Sequence, residues 1–158
     1  MTAASGEVLV IGWGNSLRGD DGLGWHAASL LAADARLAGA RVLARHQLTP
    51  ELAEDVGRAS LVVLVDARAG RGEPGAVTVT TVEPDRAAPA LTHHLDPAAL
   101  TALAGELYGR VPPVLLVSVG AATFEAGDRL SAEVAAALPK VVATVARLVA
   151  QRSVGSSA

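Results

Sequence analysis

The chain has 158 residues, a formal net charge of −3 and no cysteine. That length fits one domain able to bury about two-thirds of its unfolded surface, so no covalent staples are needed. The missing cysteine excludes disulfides, thiolate metal sites and cysteine nucleophiles, and aromatics at 3% with no basic cluster argue against nucleic acid or an anionic membrane as partner.

The first seven residues lack the basic start and apolar stretch of a secretory signal. Glu7–Gly12 is apolar in its centre and reads as a first strand covered on both faces. Asp21–Ala35 reads as a helix, with Leu23, Ala27, Leu30 and Leu31 near helical spacing. Ala40–Arg45 is a short second strand. Thr49-Pro50 starts a helix, with Thr49 as cap and proline in the first turn. Leu61–Val65 is a third, strongly apolar strand that Asp66 closes.

After a glycine-rich turn, Ala76–Val82 alternates Val and Thr and reads as a half-exposed strand. No helix separates it from the third strand, so it is expected to be antiparallel and at or near an edge. His93 and His94 lie in the following loop. Asp96-Pro97 repeats the cap-plus-proline start for a helix to Tyr108, and Pro113–Val119 is the last strand. Ser131 caps a C-terminal helix whose apolar positions, Val134 to Val149, repeat near 3.6 residues, with a kink expected at Pro139. Lys140, Arg147 and Pro139 leave this segment short of a membrane span. Alternating β and α units define a three-layer α/β/α domain with a mostly parallel sheet over residues 1–152, and a tail over residues 153–158. A soluble, cytoplasmic protein is the expectation.

The chemistry concentrates after the first strand, in Gly12-Trp13-Gly14-Asn15-Ser16-Leu17-Arg18-Gly19-Asp20-Asp21-Gly22-Leu23-Gly24. A dinucleotide fingerprint fails here: Leu17 stands where the third glycine belongs, and two carboxylates would repel a pyrophosphate. As metal ligands the carboxylates make better sense. Sites in open α/β sheets form beyond the carboxyl ends of the strands. If the first and third strands are neighbours, Asp21 and Asp66 leave the same edge side by side, and His93 closes an open N/O site suited to zinc, nickel or manganese. Each residue also has a plainer reading: Asp20 or Asp21 as a helix cap, Asp66 as a turn residue, His93 as a loop histidine. Asn15 is read as a turn holder, and Asp20 either as a cap or as a residue orienting a ligand. His46, at the end of the second strand, is a substrate contact or an ordinary loop histidine. No Gly-x-Ser-x-Gly elbow and no His-Glu-x-x-His motif occurs.

The motif from Gly12 to Gly24 resembles the opening motif of the hydrogenase maturation endopeptidases, which trim the C-terminus of the large subunit of [NiFe] hydrogenases. The resemblance continues through Leu64-Val65-Asp66-Ala67, Thr92-His93-His94-Leu95-Asp96-Pro97 and Leu130-Ser131-x-Glu133-Val134, spanning about Val8 to Ala150. It implies a five-stranded mixed sheet of order 2-1-3-5-4 with strand 4 antiparallel. It also implies that Asp21, Asp66 and His93, rather than His94, are the metal-contacting and catalytic residues. The implied cofactor is nickel, supplied by the precursor large subunit that is the partner, with no organic cofactor. Metal-assisted hydrolysis and a carboxylate acting as general base both remain open, as does monomer against weak oligomer. Some members carry Gly-Gly-Thr after the second strand where this chain has His46-Gln47-Leu48-Thr49-Pro50, so substrate choice does not carry over. The alternatives are a non-catalytic nickel- or precursor-binding chaperone on the same scaffold, and a small-molecule-binding protein whose acidic loop only caps a helix. The last requires Asp21, Asp66 and His93 to lie far apart.

Overall fold

In the computed structural model, which describes residues 6–69, 72–85 and 95–156, one five-stranded sheet carries helices on both faces. The strands are β1 (Val8–Trp13), β2 (Ala40–Arg45), β3 (Leu61–Arg68), β4 (Val77–Thr81) and β5 (Val114–Gly120). The helices are α1 (Leu23–Ala32), α2 (Leu52–Arg58), α3 (Pro97–Tyr108) and α4 (Ala132–Ser156). The sheet order is β2-β1-β3-β5-β4, parallel except for the β4/β5 pair, as expected.

The continuous apolar runs arise because both sheet faces are covered. Alternation along a strand sends neighbours to opposite layers. Val8 and Val10 of β1, Val63 and Val65 of β3, and Val117 and Val119 of β5 pack with Leu23, Leu31, Val134, Val141 and Val145 of α1 and α4. Leu9 and Ile11, Val62 and Leu64, and Val114 and Leu116 pack on the other face with Leu52, Val56, Leu100 and Leu103 of α2 and α3. By the same parity Asp66, Arg68 and Ser118 belong to the α2/α3 face, one step beyond its apolar core.

Local signals place α3 as read. Asp96 Oδ1 accepts the Ala99 N–H at 2.7 Å, Pro97 occupies the first turn, and Gly109 ends the helix at φ 72°. Ser131 caps α4 through Oγ, which accepts the Val134 N–H at 3.3 Å. That helix continues past Pro139 to Ser156, beyond the point where a tail was expected. Among the described residues, no helix is long and apolar enough to cross a membrane.

Three readings are corrected. The helix expected over Asp21–Ala35 is a 3-10 turn, Gly19–Gly22, then α1, then a second 3-10 turn, Ala35–Leu37, capped by Asp34 Oδ1 accepting Arg36 N–H at 2.9 Å. Thr49 does not cap α2 through its hydroxyl: its carbonyl accepts the Leu52 N–H at 3.1 Å in a tight turn, and the α-helix begins at Leu52. Asp66 does not sit in a turn either. β3 runs on to Arg68, because β5 continues alongside it and pairs Asp66 with Ser118, Ala67 with Val119 and Arg68 with Gly120.

Candidate functional site

The loop between β1 and α1 is built by close backbone approach. Gly24 lies against β1, where an added Cβ would come within 2.4 Å of the Trp13 backbone nitrogen and oxygen and 2.9 Å of the Val65 carbonyl oxygen. Gly14 takes φ +138°, and a Cβ there would meet the Asp21 carbonyl oxygen at 2.0 Å. Gly14 and Gly24 thus let α1 and the acidic turn come hard against the end of β1. Asn15 Oδ1 accepts the Leu17 N–H at 2.9 Å, the turn-holding role expected for it.

Asp20 and Asp21 then part company. Asp20 is fully buried, and its carboxylate accepts the N–H of Ala122 at 2.8 Å, of Thr123 at 3.0 Å and of Ser131 at 2.7 Å, together with the Ser131 hydroxyl at 2.9 Å. Burial alone pushes this carboxyl up, but the combined donors of Ser131, Ala122 and Thr123 outweigh it and hold it below the ordinary Asp range. Asp20 therefore neither caps α1 nor faces a ligand. It clamps the β1–α1 loop to the β5–α4 loop, reinforced by Gly19 N–H to Gly127 O at 3.0 Å and Gly127 N–H to Leu17 O at 2.8 Å.

Asp21 points the other way. Its Oδ2 accepts the Asn15 N–H at 2.8 Å, and it lines a cleft of about 560 Å³ with Trp13, Arg18, His46, Leu48 and Leu95. His46 does lie on this functional edge, its ring centroid 4.9 Å from that of Trp25 at an interplanar angle of 44°. Leu95, two residues after His93, is tied to the same wall by its N–H donating to Leu48 O at 3.3 Å.

Because β1 and β3 are parallel neighbours with Gly12 beside Val65, Asp66 follows one step further along the shared edge. It is 7% exposed, and its Oδ2 accepts Arg68 Nε at 3.0 Å while its Oδ1 accepts the Ser118 hydroxyl at 3.1 Å. Burial is the largest influence and raises its carboxyl above the ordinary range, against the opposing pull of Arg68 and Ser118. The negative charge of Asp21 adds to the rise, so the two carboxylates are near enough to feel one another.

The structure thus brings two of the three residues expected to form the site, Asp21 and Asp66, to the same edge of adjacent parallel strands. His93, with His94, lies outside the described residues, and among the described residues no three His, Asp or Glu side chains form a metal-holding group. The two carboxylates supply hard oxygen donors of the kind a divalent cation takes. Arg68 and Ser118 are contacts that sequence reasoning missed. Two residues apart on a strand means the same face, so Arg68 would have been found had the third strand been read on past Asp66. For Ser118 there was none before the β3/β5 register was known.

No family model matches the chain, and no curated protein matches it. Solved structures do. The [NiFe] hydrogenase maturation protease HycI from Thermococcus kodakarensis KOD1 superposes with a TM-score of 0.72 at 20% identity, covering 93% of this chain and 96% of that one. The hydrogenase maturating endopeptidase HybD from E. coli gives 0.72 at 24% identity, covering 94% of each chain. The hydrogenase 2 maturation peptidase from Thaumarchaeota archaeon SCGC_AB-539-E09 gives 0.70 at 24% identity, covering 91% and 98%. The chain has the fold of these maturation proteases over nearly its whole length, including the antiparallel edge strand that the resemblance in its motifs implied.

Proposed function

We propose that this protein is an endopeptidase that removes the C-terminal extension of a nickel-loaded [NiFe] hydrogenase large-subunit precursor. The observation that carries the reading is the position of Asp21 and Asp66 beyond the carboxyl ends of adjacent parallel strands, in a fold shared with proteins named as hydrogenase maturation proteases. In this reading Asp21, Asp66 and His93 contact the nickel that the precursor brings, and the metal belongs to the substrate. The cleft beside Asp21 receives the precursor segment around that nickel. Asp66, held from both sides, serves as the rigid contact, and the more accessible Asp21 faces the cleft. Hydrolysis adds water across the scissile amide: the hydroxyl goes to the carbonyl carbon, the C–N bond breaks and the leaving amine takes the proton. The chemistry belongs in the cytoplasm.

The test is a cleavage assay on nickel-loaded precursor beside nickel-free precursor. A single C-terminal cut that requires nickel is expected. Asp21→Ala and His93→Ala should each lose processing by at least a hundredfold while keeping the wild-type circular dichroism spectrum and melting transition. Full activity in both variants would remove these residues from the mechanism.

A further inference from the structure

Arg68 is an unusual neighbour for a carboxylate that is to meet a cation. It lies on the same sheet face as Asp66, and its Nε sits 3.0 Å from Asp66 Oδ2, with 29% of the Arg68 side chain and 10% of the Asp66 side chain exposed. Guanidinium remains charged at any working pH, so it cannot yield its place by losing a proton. A divalent ion on the same carboxylate would sit at roughly 2.0–2.2 Å from an oxygen, which leaves two positive charges within a few ångströms in a poorly solvated site. One of them must move.

The fold provides somewhere for it to go. Arg68 also lines a groove of about 270 Å³ together with Thr80, Thr81, Glu83 and Asp96. That groove has two carboxylates and two hydroxyls within the lining that Arg68 shares. Ser118 stays behind on Asp66 Oδ1, so the carboxylate keeps one fixed donor when the other leaves.

We propose that Arg68 is a place-holding cation. In the free protein it occupies Asp66 Oδ2, and it turns into the groove toward Glu83 and Asp96 when a divalent cation arrives. Arg68 is then a positioning residue that sets the threshold for cation binding: stray ions are held off, and a cation delivered in the context of a docked substrate displaces it. This inference rests on the reading of Asp66 as a cation contact.

Nickel ion itself is the probe, titrated calorimetrically into the full chain. Arg68→Gln keeps a hydrogen-bond donor for Asp66 but removes the charge, and should bind nickel about tenfold more tightly than wild type. Arg68→Lys keeps the charge and should remain near wild type, which separates electrostatic competition from packing. Adding Asp66→Asn to Arg68→Gln should cancel the gain. Equal or weaker binding by Arg68→Gln, or no binding by either it or wild type, would overturn the place-holder. Wild-type cleavage of nickel-loaded precursor is scored separately. A cut with unchanged nickel affinity defeats only the role given to Arg68, whereas tighter binding with no cut supports the place-holder and defeats the endopeptidase reading.

Discussion

Asp20 and Asp21 are chemically identical neighbours that the fold uses for opposite purposes. Asp20 satisfies three backbone N–H groups of the β5–α4 loop, so Asp20→Ala orphans them in a buried place and should cost about 3–5 kcal/mol in a urea titration. Its lowered pKa makes that contribution present above the ordinary Asp value, and lost as pH falls through the folded-state value. Asp66 has the opposite sign. Its raised pKa means that ionisation opposes folding above the unfolded-state value and costs nothing below it. Asp66→Asn removes that titration. The stability of the variant minus that of wild type should therefore shift in favour of the variant between about pH 3 and pH 7. Urea midpoints at the two pH values measure the shift, and a flat or opposite trend would contradict the assigned burial effect. That one carboxylate carries such a cost is what a functional group in an otherwise apolar strand end looks like.

At the scale of elements, the site depends on how closely α1 approaches β1 and β3. Gly24→Ala would set a methyl against backbone atoms of Trp13 and Val65, which cannot rotate away as a side chain would. It should cost about 2–3 kcal/mol and displace the acidic turn, so processing should fall even at temperatures where the protein remains folded. Legibility in the sequence varied from element to element for identifiable reasons. The start of α3 was readable because Asp96 and Pro97 are local signals that act within one turn, and the helix ends at Tyr108, about where it was expected to. β2 was readable for a similar reason, bounded by turns on each side. The start of α2 was misread because a Thr-Pro pair is compatible with a cap and with the tight turn that forms, and the hydrogen bond that distinguishes them uses a carbonyl. The end of β3 was misread because its last residues are held by β5, about fifty positions away in the chain.

At the scale of the whole molecule, the sheet is the reference frame of the site, and its two cores must both be intact for the carboxyl edge to exist. Leu64 is 1% exposed between α2, α3 and the sheet. Leu64→Asp places an unpaired charge there and should leave no cooperative melting transition, whereas the surface of the cleft tolerates exchange without unfolding. The two grooves flank the chain where it turns from Leu95 to Asp96: Asp21 and His46 face one, Arg68 and Glu83 the other. Asp66 lines neither groove, but it feels the charge of Asp21 from one and pairs with Arg68 of the other.

The sequence by itself determined the layer architecture, the edge position and direction of β4, the helix signals at Asp96 and Ser131, and the suspicion that Asp21 and Asp66 share an edge. These follow from periodicity, capping and strand-end chemistry, which act over a few residues. Only the tertiary structure decided that Asp20 clamps two loops while Asp21 faces a cleft, that β3 runs on beside β5 as far as Arg68, and that Arg68 and Ser118 hold Asp66. Each of those depends on register between strands, or on contacts between segments some fifty to a hundred residues apart. Distances of that kind are set by packing both faces of the sheet at once, and no short stretch of sequence encodes them.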